Sequence, residues 1–498
     1  MALAPGNEVL AGRALSQAIA AGDRPLALEA AKLLDSSGKL APDGRLLLIG
    51  EAFRTKQWRE ASRQIDRLDQ DEVFSFMTPL LRAWLAQGSG KGDPLALIGG
   101  TSGNALAATY AAEHRPLLLL ARGKAAEGAE ALVPAIQEAT IRTQRLRIAA
   151  ATALERKGDR AQALALLDGE DEALAEARRR VQAGKPLGGA IATPAEGMAE
   201  LLTRIALDLN GQEVPQLALS FARLSTFLAP DNAETWLIAS DLLSGQGRYE
   251  AALDALSKVG GDDLFAATAA DRRMTILVEA GRTDEALAEA RRAAAEAPAE
   301  IDNWTRLGDI LNQSDRHQEA AEAYGKALDL AKAGAEPPQP LWALWLLRGS
   351  ALTQAGQWPE GKAALLEAQK LAPNQPVVLN FLGYSELERR ENLAEAEKMI
   401  GEASRLQPDD SAITDSLGWA HYVRGDLPKA IELLETASQG QPADAAIAEH
   451  LGDAYYSAGR RYEARYAWRA ALPYAEGPAA ERLRGKIDSG LRPELAAP

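Results

Sequence analysis

Asp415-Ser-Leu417-Gly418-Trp419 is followed 34 residues on by Glu449-His-Leu451-Gly452-Asp453, and three earlier segments carry the same pattern: Trp304-Thr-Arg-Leu307-Gly308, Trp345-Leu-Leu-Arg348-Gly349 and Asn380-Phe-Leu382-Gly383. The five glycines recur at intervals of 41, 34, 35 and 34 residues. Twelve positions after each glycine, or thirteen after Gly383, stands a small residue: Ala320, Gly361, Ala396, Ala430 or Ala464. Four further on comes a large one, Tyr324, Leu365, Ile400, Leu434 or Trp468, and then Ala327, Ala368, Ala403, Ala437 or Ala471. Pro298, Pro373, Pro408 and Pro442 close their repeats.

Each feature suits a helix-turn-helix unit. The leucine is a buried knob, and the bare glycine beside it lets the partner helix approach closely. Glycines at 247, 281, 356, 425 and 459 fall between helices, where a C-cap needs positive φ. Proline then ends the second helix. With this register, units begin near residues 199, 233, 267, 301, 342, 376, 411 and 445.

The period and the Leu-Gly segments resemble the tetratricopeptide repeat family, and Leu-Gly-Tyr-Ser, Asp-Ser-Leu-Gly-Trp and His-Leu-Gly-Asp-Ala-Tyr-Tyr resemble its bacterial multi-repeat members. The resemblance implies an all-α fold, a right-handed superhelical solenoid of antiparallel helix pairs. Counting degenerate units, about twelve to thirteen repeats are expected at this period.

Residues 1–180 read as about five degenerate repeats, because Gly22 with Ala27, Trp58 with Ala61, Gly123 with Ala129 and Gly158 with Ala163 keep the turn-then-small-residue pattern. The segment 181–198, with Gly184-Lys-Pro-Leu-Gly-Gly and Thr193-Pro, reads as a linker. Residues 199–478 form the regular array of about eight repeats, and 479–498 a polar capping helix and tail over the last unit's apolar face. The insertion at 331–340 belongs in a loop between units.

The composition agrees with a mostly helical chain: aromatics are 5% of its 498 residues, hydrophobic residues 47% and charged residues 25%. A net charge of −15 disfavours a phosphate-backbone partner, so nucleic acid is not expected. Without cysteine there is no disulfide framework, thiolate metal site or thiol nucleophile. Met-Ala-Leu-Ala-Pro-Gly-Asn-Glu lacks the basic start and apolar run of a secretory signal. Apolar runs fall short of the roughly 20 residues that span a bilayer. The chain as written reads as soluble and cytoplasmic, with a periplasmic location as the alternative if a signal peptide has been removed.

No catalytic constellation stands out. His114, His317, His421 and His450 are too dispersed for a spaced metal motif, and His421 reads as a packed core histidine. Gly88-Ser-Gly-Lys91-Gly-Asp lacks the spacing and preceding strand of a phosphate loop, and Gly99-Gly-Thr-Ser-Gly103 carries no cofactor fingerprint. Neither an enzyme activity, a cofactor nor a metal is expected.

In the family the first helices of the units line a concave groove that takes peptide segments. Positions two before, two after and five after the motif leucine share one helical stripe. In the last three units the stripe reads Asn380, Tyr384 and Leu387, then Asp415, Trp419 and Tyr422, then Glu449, Asp453 and Tyr456. Amide, carboxylates and rings together suit a protein or peptide partner of basic or mixed polarity. The competing reading is that the rings pack between repeats and the carboxylates only solvate the face. With Asp309 on the equivalent stripe, an acidic peptide terminus is disfavoured by like charge. The function expected is a protein-binding scaffold in a bacterial assembly; the alternative is a structural protein that self-associates through its N-terminal repeats.

Overall fold

The computed structural model describes residues 8–70, 73–99, 104–137, 141–169, 171–334 and 340–497. Residues 100–103 of the glycine run and 335–339 of the insertion lie outside these. Among the described residues the regular elements are 28 α-helices and four short 3-10 turns, with no strand. None of these helices is long and apolar enough to cross a membrane. The chain forms two compact units, Met1–Arg282 and Thr283–Pro498.

In the second unit five pairs of helices follow one another. They are Ile301–Gln313 with His317–Lys332, Leu341–Gln354 with Trp358–Leu371, Pro376–Glu388 with Leu393–Leu406, Ser411–Val423 with Leu427–Gly440, and Ala445–Ser457 with Arg461–Ala471. Partners are joined by turns of three or four residues, so they run antiparallel. Three of these turns carry the expected glycine at positive φ, Gly356 at 77°, Gly425 at 85° and Gly459 at 83°, as do Gly247 and Gly281 in the first unit, while Asp315, Arg390 and Asn392 take that conformation in the other two turns. Asp410, Asp426 and Asp444 cap their helices by accepting backbone N–H groups, each worth about 1 kcal/mol.

The repeat's small and large positions meet. A Cβ added to Gly308, Gly349, Gly383, Gly418 or Gly452 would come within 2.4–2.8 Å of Tyr324, Leu365, Ile400, Leu434 or Trp468 respectively. Those five large side chains are 0–1% exposed, so each helix pair is closed by a bulky residue seated on bare backbone. Burying such a side chain contributes about 1.5–3 kcal/mol.

The first unit begins with five helix pairs, from Glu8–Ala21 with Arg24–Ser36 to Ile141–Arg156 with Arg160–Leu166. The segment expected to separate two arrays, 181–198, is non-helical from 183 to 193 and lies inside this unit. Leu187 and Ile191 are buried there. The carbonyl of Gly188 accepts from Thr152 Oγ1 at 2.6 Å, and that of Gly189 accepts from the Arg145 guanidinium. Helix Pro194–Gly211 then starts on a capping box formed by Thr193 and Glu196. It packs on Pro42–Arg54, Thr78–Ser89 and Ala105–Ala121. The first unit thus folds back on its own beginning. Lys91 stands in a loop, after a helix that ends on left-handed Gly90.

Candidate functional site

The stripe residues of the last three repeats come together in the second unit. Asp415 and Trp419 lie on helix Ser411–Val423, Glu449 and Asp453 on Ala445–Ser457, and all four are 0–6% exposed. His450 joins the two helices. Its ring stacks on Trp419 with centroids 4.1 Å apart, and its Nδ1 lies 2.9 Å from Asp415 Oδ2. Tyr422 stacks on the other partner position of Trp419 at 4.5 Å and bonds Ser457 through its hydroxyl at 3.1 Å. Tyr384 of Pro376–Glu388 lies 6.5 Å from His450, centroid to centroid. Asn380, Tyr384, Tyr422 and Tyr456 are half-buried, whereas Leu387 is wholly buried. The rings therefore pack between repeats and keep a partly open edge.

The carboxylates do not face solvent. The helix Gly477–Ser489 beyond the last pair presents Arg482, which grips Glu449 through two bonds of 2.8 Å, and Lys486, whose ammonium lies 2.6 Å from Glu449 and 2.8 Å from both Asp453 oxygens. Lys486 is fully buried. Asp453 also accepts from Trp468 Nε1 at 2.9 Å and from the backbone N–H of Ala497 at 3.0 Å. The capping helix expected over an apolar face thus neutralises the acidic end of the stripe. Asp309 stands apart, bonded by the Tyr324 hydroxyl at 2.7 Å.

Burial and pairing oppose one another here. Burial alone would depress His450, but the Asp415 carboxylate, with Asp453 and Glu449 behind it, lifts its pKa above the ordinary value. Burial raises Asp453 despite Lys486, while for Glu449 the two cations outweigh burial and hold it low. Burial, aided by the nearby carboxylates Glu388, Asp415 and Glu449, also keeps the Tyr384 phenol protonated.

The repeat pattern assigns none of Arg482, Lys486 and Ala497 to the stripe and offers His450 only as one of four dispersed histidines. His450 follows the stripe residue Glu449 directly, and Arg482 and Lys486 stand 33 residues after Glu449 and Asp453. That spacing, nearly one period, is the signal that could have placed the last helix as a further lining helix.

The first unit holds a second buried network. Arg142 pairs with Glu113, Glu200 and Glu234, and Arg145 lies 3.3 Å from Glu200 and 3.2 Å from Asn232. Beside it Trp84 Nε1 donates to His114 Nδ1 at 3.0 Å, and burial pushes His114 down to about 4. His421 is half-buried, 3.6 Å from Asp426. Among the described residues no cluster of His, Asp and Glu could hold a metal ion.

The fold is an all-α array of consecutive antiparallel helix pairs. The tetratricopeptide repeat family model matches residues 301–333, the helix pair closed by Gly308 and Tyr324. The protein carries tetratricopeptide repeats. A tetratricopeptide repeat-containing protein of Pseudomonas aeruginosa is 32% identical over 181 residues, covering 36% of this chain and 29% of that protein. The match thus spans less than a third of the relative's length. Among solved structures, yeast Tom70 aligns over 89% of this chain and 94% of its own at 13% identity and a TM-score of 0.45. The Cut9-Hcn1 hetero-tetramer of the APC/C aligns over 98% of this chain and 97% of its own at 16% identity and a TM-score of 0.40.

Proposed function

We propose that the protein is a non-catalytic scaffold that holds a protein or peptide segment on the surface formed by the half-buried Asn380, Tyr384, Tyr422 and Tyr456 over the buried Asp415, Trp419, Glu449 and Asp453, as one component of a multiprotein assembly. The observation that supports this reading is the joining of residues from three successive repeats into one set of rings and carboxylates. Trp419 lies between Tyr422 and His450, and the half-open edges of Tyr384 and Tyr422 flank it. Large, rigid rings beside buried polar groups are the composition that concentrates binding energy in protein interfaces. Because Arg482 and Lys486 already occupy the carboxylates, a basic ligand has to compete with them, and contact with the rings and with backbone dominates recognition.

Affinity capture from the source cells tests this. Wild type is compared with Tyr384→Ala and Tyr422→Ala, two half-exposed positions whose loss leaves the buried ion pairs intact. The expected result is a specific protein retained by wild type and lost at least tenfold from the variants. Equal retention by folded variants would remove the site from this surface.

A further inference from the structure

The last described residues do not extend the array. Helix Gly477–Ser489 stops at Gly490, whose φ of 81° and ψ of 176° suit glycine alone, and a Cβ there would lie 2.4 Å from the Tyr456 hydroxyl. Beyond it the chain doubles back. Leu491 rests against the apolar cluster of Trp468 and Leu483. A short 3-10 turn, Pro493–Leu495, sets Leu495 against the bare backbone of Gly485, where a Cβ would be 3.1 Å from its methyls. Ala497 then enters the apolar cluster of Leu387, Ile400, Trp419 and Ala420, where it is only 9% exposed, and its N–H bonds Asp453. Residues 491–497 thus run back from the last helix across Ala445–Ser457 to the cluster built by Pro376–Glu388 and Ser411–Val423.

This segment is held differently from the helix before it. Arg482 and Lys486 belong to Gly477–Ser489 and stay with Glu449 and Asp453 if the tail leaves. Asp453 would then lose one of its donors and keep Lys486 and Trp468. Leu491 and Leu495 are only half-buried. Release of the tail strands no charge and opens the cavity filled by one methyl group beside Trp419.

We propose that residues 491–497 are a displaceable occupant of the binding surface, and that the partner is an extended segment that inserts a small apolar residue in place of Ala497 and donates its own backbone N–H to Asp453. The proposal rests on the reading of this surface as the partner site. It implies that the resting chain competes with its ligand, so that the full chain binds more weakly than one whose tail is removed.

The test uses a fluorescent peptide spanning residues 490–498, titrated against the full chain, a chain ending at Ser489, and the full chain carrying Ala497→Asp. The substitution sets a carboxylate against Asp453 and inside the apolar cluster, so it expels the tail without shortening the chain. Saturable peptide binding to the shortened chain and to Ala497→Asp, at least tenfold tighter than to wild type, is the expected result. A peptide carrying Ala497→Asp should lose at least tenfold against the same chains. Folded variants that ignore the peptide, or that bind it no better than wild type does, would overturn the proposal. The partner site itself fails by another route, capture indifferent to Tyr384→Ala and Tyr422→Ala, which the peptide titration does not measure.

Discussion

Each compact unit buries a cation among carboxylates drawn from distant parts of the chain, yet the two networks close differently. In the first, Arg142 binds Glu113, Glu200 and Glu234, and every group is 0–12% exposed. Its partners sit on helices that fold back onto one another, so the network fastens the unit shut. In the second, Lys486 binds Glu449 and Asp453, but the network continues through a backbone N–H at Ala497 and through half-open rings. The second includes the Ala497 N–H, the partner that the proposed segment would replace.

Substitutions in the two networks break this comparison most severely. Arg142→Met leaves Glu113 and Glu234 without their cation, while Arg145 still holds Glu200, and is expected to lower unfolding free energy by about 3–5 kcal/mol, read from the urea midpoint. Lys486→Met should cost about 3 kcal/mol, the low end of the same range, because Arg482 still holds Glu449. A Lys486→Met loss larger than that of Arg142→Met would reverse the ranking.

A smaller effect tests what the units share. Gly197 and Gly452 each lie under a tryptophan, with an added Cβ 2.1 Å from Trp84 and 2.4 Å from Trp468. Gly197→Ala and Gly452→Ala should each cost about 1–3 kcal/mol by overpacking, measured by thermal unfolding. Tolerance at one and not the other would show that only one unit is close-packed.

The smallest effect sharpens the electrostatic contrast. His450, facing Asp415, Asp453, Glu449, Glu388 and Tyr384, has its pKa raised in the folded state above its ordinary 6.5. Its stabilising contribution is therefore fully present below pH 6.5 and is lost as pH rises through the folded value. The melting temperature of wild type should fall on moving from mildly acidic to alkaline pH by more than that of His450→Gln, which cannot titrate. Identical pH profiles would mean that His450 is neutral throughout.

The pairing of Gly308, Gly349, Gly383, Gly418 and Gly452 with a bulky residue sixteen or seventeen positions on was legible because both partners lie in one repeat and recur. The stripe from Asn380 to Tyr456 was legible for the same reason, as helical spacing from a recurring leucine. His450 was not, because its partners Asp415 and Trp419 belong to the preceding repeat and no period links a histidine to them. Arg482 and Lys486 looked like the solvated side of a cap, since charge in a sequence carries no sign of burial when its partner lies 33 or 37 residues away. In the first unit the decisive contacts span 29 to 92 residues, so the repeat signal fades where long-range packing replaces repetition. The stretch around Gly188 and Gly189 read as a linker for its glycines, but Arg145 and Thr152 bind its carbonyls and hold it within the unit.

Site-specific photocrosslinking in the source cells reads out where a partner binds. A photoreactive phenylalanine analogue is placed at Tyr384, at Tyr422 or at Tyr462, which is 89% exposed on a second helix. Crosslinks are expected from Tyr384 and Tyr422 to the same partner and none from Tyr462. Crosslinks from Tyr462 alone would place binding on the opposite helix layer and remove it from the rings of the last three repeats.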